Sequence, residues 1–333
     1  MKRRTRGAGQ VLVGSVVLLA LGAGCTPATP ATVPVPSDHA RREATAEAGI
    51  DGTTLADRGL EWPEGANVFA ARIFGGDTPA YAFYEAGGGG FSNAFFPASA
   101  IKLLAALGAL DFARSLGFTG DAIVDGAYSL RDLYDAALRD SSNEAYDELV
   151  RVAGLERLNR EFLVAQGYPS TTIQEPYGGG DEQVGDSPEM VLTDADHTVV
   201  VPERDATASD YGCGGGNCTN LFELADAVRR VVLDAELPAG ERFDLSPSDI
   251  AGLQDALAGA DGFIAPGVYD ALGPQARIFT KPGWVPGLDC VESALVIDPA
   301  TGHRFLIALS APDDGTCEEL ATMARAVLRI LDT

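Results

Sequence analysis

With 333 residues the chain is long enough for one large or two small domains and a sizeable core. Acids outnumber bases 48 to 24, a formal net charge of −24, and so acidic a surface excludes nucleic acid and anionic membrane as electrostatic partners. Only three bases are lysines (Lys2, Lys102 and Lys281) against 21 arginines, so a lysine is the exception wherever it stands.

The chain opens on a basic stretch, MKRRTRG, followed by the apolar run VLVGSVVLLALGAG. That run is too short to span a membrane and ends in small residues, so residues 1–24 read as a secretory signal peptide. It closes on Leu21-Gly22-Ala23-Gly24-Cys25, which resembles a bacterial lipoprotein box with Gly22 in place of the usual apolar residue. Cys25 is therefore expected to carry lipid, on the outer face of the cytoplasmic membrane. Arg3-Arg4 lacks a following apolar pair, so a twin-arginine export signal is not read. Residues 25–50 form a tether rich in Pro, Thr and Ala, and 51–333 the domain proper.

Within the domain, NVFAARIF and AYAFYE are rich in β-formers and flank Gly75-Gly76-Asp77, which predicts a strand hairpin. Gly87 to Gly90 then break the chain. From Pro97 the run Ile101, Leu103, Leu104, Leu107, Leu110 predicts a helix with Pro at its tolerated start. Ser129 and the Ser141-Ser142-Asn143 triplet cap two further helices over 129–152, and 155–166 make a third, stopped by Gly167. Residues 176–218, poor in pattern and rich in Gly and Asp, read as a long loop. Helices are predicted from Thr219 and from Ser246, then three strands (ARIFTKPG, VESALVIDP, HRFLIALSA) and a last helix over 316–331. Strands, helices, then strands again predict an α+β protein with an antiparallel sheet built from both chain ends. The α/β part is placed at about 60–94 and 271–333, and an all-α subdomain at about 95–270.

Cys213, Cys218, Cys290 and Cys317 remain as an even set suited to an oxidising compartment. Of the three possible connectivities, local spacing favours Cys213–Cys218 with Cys290–Cys317. The rival reading is a zinc site, but His39, His197 and His303 do not cluster with the cysteines, so no metal is expected.

Ser99 and Lys102 stand at i and i+3, so both side chains leave one face of the first helical turn. A serine hydroxyl needs a neighbouring base to act as a nucleophile, and a lysine serves once burial and a helix N-terminus lower its pKa. Arginine cannot do this, which gives the scarcity of lysine its meaning. The second lysine of the domain lies in Thr280-Lys281-Pro282-Gly283-Trp284, on a predicted strand.

In this order the motifs resemble those of the penicillin-recognising serine hydrolases, the class A β-lactamases and penicillin-binding proteins, over residues 65–332. Ser99-Ala100-Ile101-Lys102 resembles S-x-x-K, Ser141-Ser142-Asn143 the S-x-N between two helices, and Lys281-Pro282-Gly283 the K-T-G strand. The resemblance implies a β-lactamase/transpeptidase-like fold and a set of roles. Ser99 would be acylated, Lys102 would take its proton, and Ser141 would relay a proton to the leaving nitrogen. Asn143, Lys281, Gly283 and Trp284 would bind substrate, with the backbone N–H groups of Ser99 and Trp284 as oxyanion hole. Two departures stand out. Pro282 replaces a hydroxyl residue that helps grip a substrate carboxylate, and it removes a backbone N–H, which only an edge strand tolerates. The family's deacylating Glu sits in E-P-E-L-N; here Gln174-Glu175-Pro176-Tyr177 follows Asn143 at a suitable distance but continues into Gly178-Gly179-Gly180. Glu175 is the expected base, ahead of Glu189 and Glu203.

The expected activity is opening of β-lactam amides through a Ser99 acyl-enzyme, by a monomer needing no cofactor. The alternatives are a DD-peptidase-like or esterase-like cell-wall hydrolase, acting on a peptidoglycan peptide, and a non-catalytic scaffold that binds such a peptide.

Overall fold

A computed structural model describes residues 63–75, 80–86, 94–178, 186–206 and 211–332, with only the backbone of Ala80, Ala82, Phe83 and Ala86. The leader, Cys25, the tether, His39, the Gly76-Asp77 turn, Gly87–Gly90 and Gly179-Gly180 lie outside the described residues.

Five strands form an antiparallel sheet in the order β2-β1-β9-β8-β7: β1 (Asn67–Phe74), β2 (Ala80–Ala86), β7 (Arg277–Trp284), β8 (Asp289–Ile297) and β9 (Arg304–Pro312). The predicted N-terminal hairpin forms, and β1 joins the C-terminal strands through Val68 opposite Leu309. The continuous apolar runs of β8 and β9 put them at the centre, buried on both faces. β7 is left at the edge, where Pro282 needs no partner for a missing N–H.

Each sheet face buries a separate apolar cluster. Against one pack α7 (Ala265–Leu272) and the C-terminal helix α8 (Glu318–Leu331), whose Leu320, Met323, Val327 and Leu328 share a side as their spacing predicts. Against the other packs the helical part, with α1 (Lys102–Ser115) at its centre and buried on nearly every side. Around it lie α2 (Leu130–Leu138), α3 (Asn143–Ala153), the short α4 (Leu163–Gln166) after a wider turn over 157–162, α5 (Leu221–Val232) and α6 (Pro247–Ala258). Ser129 caps α2 in a reciprocal capping box with Asp132, and Ser246 caps α6.

Two predicted boundaries move, and one helix was not predicted. The helix expected from Thr219 is capped by Asn220, the last helix starts two residues late, and α7 had no predicted counterpart. The stretch read as a long loop contains β5 (Met190–Thr193) and β6 (Thr198–Val201). With β3 (Ile123–Val124) and β4 (Tyr128–Ser129) they make a second antiparallel sheet, β4-β3-β5-β6, so the helical part is not purely α. Both favoured cysteine pairs are disulfides, with Cα separations of 6.1 Å for Cys213–Cys218 and 5.6 Å for Cys290–Cys317. The second staples the start of β8 to the N-cap of α8.

Candidate active site

Ser99 sits in a single 3₁₀ turn, Ala98–Ile101, that leads directly into α1, so Lys102 begins the helix one turn beyond it. Ala98 holds φ 47°, a region costly for a residue with a Cβ. The turn is seated against β7 through Gly283. A Cβ there would lie 2.6 Å from the Pro97 carbonyl and 3.0 Å from the Ser99 nitrogen, so only glycine lets the strand come this close to the serine.

The Ser141-Ser142-Asn143 triplet divides its work between capping and the site. Ser142 alone caps α3, accepting the Ala145 N–H at 3.1 Å. Ser141, held at φ 57°, and Asn143 are thereby released toward the two buried lysines. Lys102 Nζ donates to the Ser141 carbonyl at 2.5 Å and to Asn143 Oδ1 at 2.6 Å. Lys281 Nζ donates to Ser141 Oγ at 2.9 Å from the other side. Ser141 thus stands between the only two lysines of the domain.

Both lysines are wholly buried. Burial pushes Lys102 from 10.5 down to about 8, against the pull of Asp147 and Glu144 in the opposite direction. Burial, then the nearby charge of Lys102, push Lys281 down to about 7, with Glu292 opposing. A neutral lysine amine keeps two N–H groups, and Lys102 has two acceptors for them, which leaves its lone pair to receive a proton. The Ser99 hydroxyl itself makes no hydrogen bond among the described residues.

Ser99, Ser141, Lys281 and Gly283 open onto a cleft of about 500 Å³. Arg139, Asp140, Asp261 and Phe263 line it as well, and Trp284 stands at it with 44% of its surface exposed. Arg139 is engaged by Asp135 and Asp255, so its charge is answered before any ligand arrives.

No hydrogen bond or ion pair joins the Glu175 side chain to the lysines or Ser99 among the described residues. Its backbone is locked by Asn217, which accepts the Glu175 N–H at 2.9 Å and donates to the Glu175 carbonyl at 3.0 Å. Its carboxylate lies toward Gly216 in the Cys213–Cys218 loop and makes no hydrogen bond or ion pair among the described residues. The loop side chain beside Lys102 is Tyr177, which sequence reasoning passed over. Its ring centre lies 5.8 Å from Lys102 Nζ, its hydroxyl donates to the Ala98 carbonyl at 3.0 Å, and it stacks on Tyr146 at 4.6 Å. Asp147 fixes it there by accepting the N–H groups of Tyr177 and Gly178 at 2.8 and 2.7 Å. Glu189 and Glu203 flank the second sheet and make no contact with this centre among the described residues. No described His or Asp/Glu cluster joins the lysines to make a metal site. The two groups of three potential ligands are the Cys290–Cys317 disulfide with Asp313, and the exposed Asp186, Glu203 and Asp205.

This two-part architecture, with a serine turn seated against an edge strand, is the serine β-lactamase/transpeptidase fold. Solved structures bear this out over nearly the whole domain. A mutant of PBP-A, in acyl-enzyme complex with penicillin G, superposes with a TM-score of 0.54 at 15% identity, covering 90% of this chain and 99% of that one. A β-lactamase from Burkholderia vietnamiensis gives 0.52 at 18%, covering 91% and 99%, and the extended-spectrum β-lactamase TLA-3 gives 0.54 at 12%, covering 89% and 100%. No protein-family model and no curated protein sequence matches the chain.

Proposed function

We propose that the chain is an acyl-serine hydrolase that opens β-lactam amides through an acyl-enzyme on Ser99. One observation carries this reading: two buried lysines with lowered pKa converge on Ser141 beside the Ser99 turn. Neutral Lys102 takes the Ser99 proton as Oγ bonds to the carbonyl carbon. Lys281 and Ser141 then pass a proton to the nitrogen as the C–N bond breaks. The N–H groups of Ser99 and Trp284 hold the oxyanion, and Asn143 holds the substrate amide as well as Lys102. Pro282 offers the substrate carboxylate no hydroxyl, so Lys281 holds it alone.

A second reading, a DD-peptidase-like or esterase-like enzyme with a long-lived acyl-enzyme, is favoured by Tyr177 occupying the place beside Lys102 while the Glu175 carboxylate makes no hydrogen bond to Lys102 or Ser99 among the described residues. Turnover needs a base for water, and the two readings part there. Fluorescent penicillin followed on the protein over hours separates them. Continuous turnover, with Glu175→Gln trapping the adduct, supports hydrolysis by Glu175; an adduct that persists in wild type supports the second reading. Peptidoglycan peptides are the corresponding natural substrate class. Export with lipid on Cys25 remains our proposal for its location, on the leader and tether composition.

A further inference from the structure

Residues 261–264 form one wall of the Ser99 cleft, through Asp261 and Phe263. Behind this wall lies a second cavity of about 480 Å³, lined by Asp261, Gly262 and Thr280 with α7 and the end of α6. Ile264 is buried in the apolar cluster on this face of the sheet and Phe263 packs against it, which anchors one end of the segment, while Asp261 and Gly262 lie between the two openings. A carboxylate fixes the segment as well. Glu292, 1% exposed on β8 and opposite Pro282 in register, accepts the Phe263 N–H at 2.6 Å and the Ile264 N–H at 3.1 Å on one oxygen. Its other oxygen accepts the Thr280 hydroxyl at 2.6 Å. The fit leaves no slack, because a Cβ on Gly262 would lie 2.2 Å from that oxygen and 3.0 Å from Thr280 Cγ2.

We propose that Glu292 is a positioning residue for the Ser99 reaction, strapping the 261–264 wall to strand β7 and so fixing the width of the cleft. The strap joins the wall to the strand that carries Lys281 and seats the Ser99 turn through Gly283, so wall, cation and nucleophile share one reference. Burying an ionisable group is costly, and burial pushes Glu292 up to about 7 despite its three donors and Lys281. An apolar residue would suit a sheet interior better, which points to a use beyond folding.

The proposal rests on the reading of Ser99 as nucleophile, and the test separates the two. Wild type, Glu292→Leu, Glu292→Gln and Gly262→Ala are compared for acylation by a bulky fluorescent penicillin and by p-nitrophenyl acetate. Amide exchange across 259–266 and the melting temperature are measured alongside. Glutamine can keep the strap: its oxygen accepts both backbone N–H groups, its NH₂ donates to Thr280 Oγ1, and that hydroxyl turns to the Ser293 carbonyl, already 3.1 Å away. Glu292→Leu should raise the half-saturating penicillin concentration at least tenfold, leave the limiting acylation rate and the small ester within about threefold, and speed exchange at Phe263 and Ile264 at least tenfold. Gly262→Ala should do the same from the wall side, and Glu292→Gln should stay within threefold of wild type throughout. Equal losses with both acyl donors, unchanged exchange and half-saturation, or failure of both Glu292→Leu and Gly262→Ala to fold would assign Glu292 to folding alone and overturn the proposal. If wild type takes no acyl group, the reading of Ser99 fails instead, and the exchange rates still decide whether Glu292 holds the wall.

Discussion

The pH dependence of acylation follows from the two lysines. An amine at the ordinary lysine value of 10.5 is neutral in about one molecule in 3,000 at pH 7, whereas one at about 8 is neutral in about one in ten, a gain of about 300-fold in available base. Lys281, at about 7, must keep its proton to meet a carboxylate and to feed Ser141. The productive state is therefore the pair with one proton, placed on Lys281. Because the two amines feel each other, the limbs of the profile belong to the pair. The acylation rate constant for fluorescent penicillin, measured from pH 5.5 to 9.5, should rise through about 7, peak near 7.5 and fall above about 8. Lys102→Arg, which keeps the charge and removes the base, should lower the peak by about 100- to 10,000-fold. A rate still climbing at pH 9.5, or a Lys102→Arg protein acylated as fast as wild type, would show that Lys102 is not the base.

Other outcomes follow from the same structure. Lys281 has a folded-state value below its unfolded one, so the stability it contributes is full above pH 10.5 and is lost as pH falls toward 7. Replacing it with Met should remove a cost of roughly 4 kcal/mol at most at pH 7 and raise Tm by several degrees, while acylation is lost; a lower Tm in scanning calorimetry would contradict this. The Cys290–Cys317 bridge closes a separation of 27 residues, and the double Ala variant should be about 3–4 kcal/mol less stable in urea titrations, unchanged stability being the contrary result. Mass spectrometry of the membrane fraction should find Cys25 as a lipid-modified N-terminus; an unmodified start elsewhere would remove the anchor.

Much of this was legible in the sequence because it is local. Helix caps such as Ser129 and Ser246 and the long apolar strands declare themselves within a few residues, and two lysines among so many arginines stood out by chemistry alone. What escaped depends on tertiary pairing. β3 and β4 are two residues long, too short to carry a period, and exist only because β5 comes to lie beside β3. The Glu175-Pro176 pair fits a motif, yet which loop side chain meets Lys102 is set by Asp147 and Asn217, far off in sequence. The Ser141 triplet was ambiguous for the same reason, until Ser142 proved to be the cap. Glu292 carried no signal in the sequence, since two of its partners are backbone N–H groups that no residue type announces.

Acylation of Ser99 Oγ underlies every step proposed above. Intact-mass and peptide analysis after exposure to benzylpenicillin tests it directly. A gain equal to one whole penicillin is expected, located on the peptide containing Ser99 and absent from Ser99→Ala. Label on another residue, or equal label in wild type and Ser99→Ala, would contradict it.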